Sequence, residues 1–143
     1  MTPDQISLVR QSFAMAEPVS GQLAGMFYGR LFTIAPETKP LFENANMFSQ
    51  GDKLMAMLKT VISLLDKPEL LMPAAENLAV GHNDYGVRAE HYAPVGEALI
   101  WALETGMGES FGEDAKDAWS TAYAALSAAM IAASEAAAKE KAE

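Results

Sequence analysis

Proline cuts this chain into segments. Pro3, Pro18, Pro36, Pro68 and Pro73 stand at breaks between apolar runs whose members recur three and four residues apart, and proline neither continues a helix nor donates within a sheet. No stretch alternates apolar and polar residues with the period of a strand, and no segment repeats. These features predict an all-α protein of about seven helices, too unequal in length for a four-helix bundle. With 143 residues, 50% of them hydrophobic, one domain over 1–143 has enough core to fold unaided. Residues 132–143 form an alanine-rich, charged helical tail with little to bury, expected to fray.

Each segment carries its own signals. Thr2, Pro3 and Gln5 read as a capping box with proline at the first helical position. The helix they open buries Ile6, Val9 and Phe13 and closes at Glu17-Pro18. A second helix, from about Ser20, turns Leu23, Met26, Phe27, Tyr28, Leu31 and Ile34 inward and ends at Ala35-Pro36. Gly21, Gly25 and Gly29 recur along it. Each costs about 1 kcal/mol relative to alanine, so a close helix crossing is expected on their face. A helical turn from Pro36 to Leu41 leads to Phe42 and the irregular ENANMFSQGD.

A third long segment, from about Ser49 to Leu65, has Leu54, Met57, Leu58, Val61 and Leu65 inside and breaks at Asp66-Lys67-Pro68. Pro73 is expected to start the helix that ends at His82, with a turn at Asn83, Asp84 and Gly86. His91 to about Thr105 buries Tyr92, Val95, Leu99, Ile100 and Leu103, with Gly96 permitting close approach. After a turn from Gly106 to Gly112, a last helix from about Glu113 buries Trp119, Ala122, Tyr123, Leu126 and Met130.

Composition narrows the function. Ten basic against nineteen acidic side chains give a net charge of −9, which disfavours nucleic acid and anionic lipid as partners. Without cysteine there is no disulfide, thiolate metal site or cysteine nucleophile. The start MTPDQISLVR lacks the order of a signal peptide and no window is apolar enough to span a bilayer, so a soluble cytoplasmic protein is expected. Nine methionines fit either an irregular core or one that adapts around a flat ligand.

The stretch LAVGHNDYGVRAEHY, from Leu78 to Tyr92, is where the chemistry concentrates. His82 lies on the apolar face of Ala75, Leu78 and Ala79, at a helix end, where a neutral imidazole can point its lone pair into a dry cavity as an iron ligand. The plainer alternative is a hydrogen-bonded core histidine. His91, its only rival, opens a helix beside Glu90 and is read as a surface residue.

Tyr28 stands fourteen positions before Phe42, and Gln50 thirty-two before His82. The pattern FY…LF…Q…KLM…H…YGV…HY…VG, with HNDYGVRAEHYAPVGEAL and AWSTAYAAL, resembles bacterial single-domain globins and the haem domain of flavohaemoglobins, from about residue 4 to 131. The resemblance implies a globin fold around haem b (iron protoporphyrin IX). It makes His82 the proximal iron ligand and Phe42 the residue packed flat on the porphyrin. Tyr28 and Gln50 become the distal pair, with Leu54 beside the ligand and Tyr92 on the proximal side. Lys53 falls where a basic residue meets a propionate, and Leu78, Val87 and Val95 complete the haem lining. A register shift of one turn before the third long helix would put Lys53 in place of Gln50, and Tyr28 has the alternative of a core tyrosine bonded to backbone.

A gas ligand that gains negative charge is held by a phenol O–H and an amide N–H through strengthened hydrogen bonds, each worth roughly 1.5–3 kcal/mol in a dry pocket. That favours tight capture over rapid unloading. The implied partners are oxygen, nitric oxide and carbon monoxide, with an electron-donating reductase for any turnover, since 143 residues leave no room for reductase domains. The implied function is oxygen binding with nitric oxide detoxification by dioxygenation. Its alternatives are a non-enzymatic oxygen store or scavenger, an oxygen-transport protein or gas sensor, or a haem-free signalling module. The chain departs from the flavohaemoglobin pattern at one place: Ser134, followed by Glu135, stands where that family has a glutamate late in its last helix.

Overall fold

The computed structural model describes residues 1–43, 46–84 and 89–142, with the backbone alone at 48, 80–84 and 137–142. Among the described residues there are six α-helices and no strand. They are α1 (Pro3–Ala16), α2 (Ser20–Ile34), α3 (Met47–Ser63), α4 (Pro68–Asp84), α5 (Tyr92–Met107) and α6 (Glu113–Ala142). Short 3₁₀ turns cover Glu17–Val19, Pro36–Phe42, Ala89–His91 and Gly108–Ser110.

The capping box is present: the Thr2 hydroxyl accepts from the Gln5 amide at 3.1 Å, and the Gln5 side chain accepts from the Thr2 amide at 3.0 Å. Other boundaries shift for local reasons. Helix α3 starts at Met47 rather than near Ser49, because the Asn46 side chain accepts from the Ser49 amide at 3.2 Å and caps the first turn. It ends at Ser63 rather than Leu65, where Arg10 of α1 reaches across. The Arg10 guanidinium donates to the carbonyls of Ile62 (3.3 Å) and Ser63 (3.2 Å) and pairs with Asp66 at 2.8 Å. A cation thus satisfies carbonyls that the helix end leaves open. The same guanidinium holds the exposed Asp66 carboxyl below its ordinary range.

Helix α4 starts at Pro68, not Pro73. Pro68 takes the first helical position, the Leu70 and Leu71 amides bond the Lys67 carbonyl, and Pro73 lies inside the helix on an exposed face. There its missing N–H leaves only one carbonyl to water. The helix also runs through Asn83 and Asp84, beyond the expected stop at His82. Gly106 is likewise helical; α5 ends where Gly108 takes φ +58°, a conformation open to glycine without strain. Helix α6 continues to Ala142.

The expected role of the glycine row in α2 is overturned. Gly21, Gly25 and Gly29 are exposed, and a Cβ at any of them would meet no atom within 4 Å. The inward positions are Leu23, Ala24, Phe27, Tyr28 and Leu31, and Gly25 and Gly29 each sit about 100° further round the helix from an inward neighbour, Ala24 and Tyr28. Close approach is made by other glycines. Gly51 of α3 faces the Ala24 Cβ, 3.1 Å from where its own would be, and Gly106 of α5 leaves room for Leu23.

Among the described residues, most of the buried apolar side chains fall into two clusters. The larger joins α1, α2, α3, α5 and α6 through Val9, Phe13, Leu23, Phe27, Leu31, Leu58, Leu99, Leu103 and Trp119. The smaller consists of Ala75 and Ala79 of α4, Tyr92 and Met130, with Leu78 and Leu126 at its edge. Helix α4 packs chiefly on α6, while α3 packs on α2 and α1. The joint between α1 and α6 has a polar centre: the Trp119 indole donates to the Ser12 hydroxyl at 2.7 Å, fully buried.

Ser12→Ala leaves that indole N–H buried without an acceptor and should lower unfolding stability by about 1–3 kcal/mol. Gly25→Ala, in open space on a helix, should raise it by about 0.5–1 kcal/mol. Urea denaturation of the two variants checks both signs.

Candidate functional site

The site is built from both clusters. Phe42, Leu54 and Val95 belong to the edge of the larger, and Leu78 and Tyr92 to the smaller. All five are apolar or aromatic, and they come from the Pro36–Phe42 turn and from α3, α5 and α4. Apolar and aromatic side chains drawn from several helices and one turn suit a flat, largely apolar group held among them. Haem therefore fits the chemistry of these side chains.

The α2 side of the site is a group of rings. Tyr28 is buried, 7% exposed, with its ring edge-on to Phe27 (4.8 Å between centroids) and to Phe42 (5.4 Å). Phe32, one turn along α2, lies 6.2 Å from Tyr28 and 5.6 Å from Phe42. These are the separations and tilts that aromatic quadrupoles favour. The Tyr28 hydroxyl donates to the main-chain carbonyl of Gln50 at 3.4 Å, the long end of the range. Burial pushes the phenol's pKa up, and the Gln50 side-chain amide acts in the opposite sense. Tyr28 and Gln50 are thus neighbours, and the phenol keeps its proton at neutral pH. Gln50 is half-buried in the first turn of α3; Lys53 is exposed and Leu54 half-buried.

The α4–α5 side is partly described. His82 lies in the last turn of α4, one turn beyond Leu78 and Ala79, with its side chain outside the described residues, as is Val87 altogether. Tyr92 is buried at the start of α5. The expectation for His91 is corrected: it is buried, 9% exposed, because the Ala89–His91 turn folds back against α5 instead of projecting into solvent.

Tyr123 is a supporting residue that the sequence reading treated only as core. Its hydroxyl donates to the Tyr92 carbonyl, and its ring occupies the space where a Cβ on Gly96 would stand. Glycine at 96 is therefore what lets α6 reach the first turn of α5. The readable signal is the four-residue step from Tyr92 to Gly96, which puts both on one face. Burial pushes the Tyr123 phenol well up, with the neighbouring Tyr92 adding to the shift, and burial pushes Tyr92 up as well.

Among the described residues, an all-helical fold with an aromatic, donor-bearing wall suits a class of protein that holds a flat cofactor between helices. A globin family model matches residues 25–130, and the chain belongs to the globin family. It is 32% identical over 133 residues to a flavohaemoprotein of Bordetella parapertussis, covering 92% of this chain and 33% of that protein. A flavohaemoprotein of Chromobacterium violaceum is 32% identical over 128 residues, covering 87% and 31%. The chain thus spans about a third of the length of these relatives. A solved bacterial globin of Campylobacter jejuni superposes with a TM-score of 0.85 at 24% identity, covering 96% of this chain and 99% of that one, and shares its fold. Family membership makes this a haem-containing protein that binds diatomic gases.

Because the neutral forms of Tyr28, Tyr92 and Tyr123 are favoured in the folded state, they add stability that is present below the unfolded tyrosine pKa of about 10 and is lost as pH rises above it. Phenolate absorbance should therefore appear late for these three, together with loss of helical signal, in an alkaline titration followed at both wavelengths. In Tyr123→Phe the alkaline loss of stability should be shallower.

Proposed function

We propose that this globin captures oxygen tightly at haem b and, given electrons by a separate reductase, converts nitric oxide to nitrate. The net reaction joins nitric oxide, dioxygen and one electron into nitrate. In this reading His82 ligates the iron, and Phe42, Leu54, Leu78, Val87, Tyr92 and Val95 seat the porphyrin, with Lys53 at a propionate. When bound, the haem iron supplies reversible gas binding and the redox chemistry.

The observation that carries the reading is the buried Tyr28 phenol beside Gln50 in a wall of rings. Its raised pKa keeps the O–H as a donor rather than a negative phenolate, which would repel an anionic ligand. The long bond to the Gln50 carbonyl is a weak competitor, so the O–H can turn to a stronger acceptor at small cost. The rings exclude water, which strengthens any charge-assisted hydrogen bond made there. The name of the flavohaemoprotein relatives joins a flavin to a haem protein, which supports a flavin-containing electron donor for this chain.

One observation favours the second reading, a non-enzymatic store or scavenger. Glu135 is exposed on α6, so its carboxylate does not supply the buried partner that makes a proximal imidazole strongly electron-donating.

The Soret band of the haem-loaded protein should vanish in His82→Ala, and Tyr28→Phe should release oxygen roughly 10- to 100-fold faster, the loss of one charge-assisted hydrogen bond. Absorption spectra and stopped-flow oxygen release check these. Nitric oxide consumption with a ferredoxin or flavodoxin reductase should exceed that of free haem; a rate no higher would leave the store or scavenger as the function.

A further inference from the structure

Three rings on two elements form a closed triangle at the site: Tyr28 to Phe42 at 5.4 Å, Phe42 to Phe32 at 5.6 Å, and Phe32 to Tyr28 at 6.2 Å. Phe32 is half-buried and stands one helical turn beyond Tyr28, on the same face of α2. The 3.4 Å bond to the Gln50 carbonyl holds the Tyr28 hydroxyl weakly. What fixes the direction of the phenol is therefore the packing of its ring, between Phe27 on one side and the Phe32–Phe42 pair on the other. Phe27 is the chain neighbour of Tyr28 and belongs to the large core, so it gives a fixed backing. Phe42 lies on a short 3₁₀ turn, and Phe32 is the side chain that ties that turn to the Tyr28 ring from the helix side.

We propose that Phe32 is a positioning residue of the distal pocket, holding the Tyr28 phenol in its donating direction and coupling it to Phe42. The proposal rests on the reading of Tyr28 as the group that retains the gas ligand. Removing the Phe32 ring frees the Tyr28 ring to tilt, and a misdirected O–H loses most of its hydrogen bond. Phe32 touches no ligand in this scheme and acts only through its neighbour.

The test is a double-mutant cycle on oxygen dissociation from the haem-loaded protein. Phe32→Leu should release oxygen roughly tenfold faster, about the effect of losing one ordinary hydrogen bond, with the Soret band and helical signal retained. Phe32→Tyr, which keeps the ring, should behave like the parent. In a Tyr28→Phe background, Phe32→Leu should add nothing. Phe32→Met serves as the second truncation if the leucine variant does not fold. An unchanged rate in Phe32→Leu while Tyr28→Phe is fast overturns this proposal alone. The same acceleration with and without the Tyr28 hydroxyl also overturns it, since Phe32 would then act through the haem seat. A Tyr28→Phe protein no faster than the parent removes the distal reading itself.

Discussion

Helix α6 is the member that both parts of the core need. At its start Ala115, Ala118 and Trp119 are buried in the larger cluster, with the indole anchored to Ser12 of α1. Further along, Leu126, Ala129 and Met130 meet α4 in the smaller one. Since α4 packs chiefly on α6 rather than on α3, the smaller cluster is a patch distinct from the larger one among the described residues. In a haem-containing globin the bound group adds to the stability of the folded state beyond what these apolar clusters supply.

The two sides of the site are supported differently. The α2 wall is aromatic and rests on the largest cluster, with helix contacts made close by Ala24, Gly51 and Gly106. On the opposite side, Tyr92 is secured by the hydrogen bond from Tyr123, which is possible because residue 96 is glycine. Both sides therefore depend on a small residue at a helix crossing, and on a phenol kept neutral by burial. The candidate donors Tyr28 and Gln50 both lie on long helices, the arrangement that holds a donor most firmly in place.

Most of the helices were legible because each has a signal confined to a few residues: Thr2-Pro3 with Gln5, Ala35-Pro36, Asp66-Lys67-Pro68. The errors came where two signals competed. Pro73 reads as a start, yet Pro68 already supplies one and the interior proline is tolerated on an exposed face. Gly106 reads as a stop, but the positive φ falls at Gly108. The candidate site residues were picked out by spacing and resemblance; that the Tyr28 hydroxyl reaches the Gln50 main-chain carbonyl is a tertiary contact which neither spacing records. Tyr123, Phe32 and Arg10 went unrecognised as supports, since what they touch lies 31, 10 and 52 or more residues away.

The sequence by itself determined the all-helical class, the breaks between segments and the apolar stripe of each helix, because periodicity, capping and proline chemistry act over one or two turns; the candidate groups for a haem site came from its resemblance to bacterial globins. Only the tertiary structure decided which further small residues mark crossings. Gly21, Gly25 and Gly29 look like a docking row and face open space, whereas Gly51 and Gly106, each alone, join Gly96, the one glycine whose close approach the sequence had marked correctly, as the ones that neighbours press against. It also decided that His91 turns inward. The reason is that a side chain's surroundings are set by residues distant in the chain, and no local pattern records which helix will lie across it.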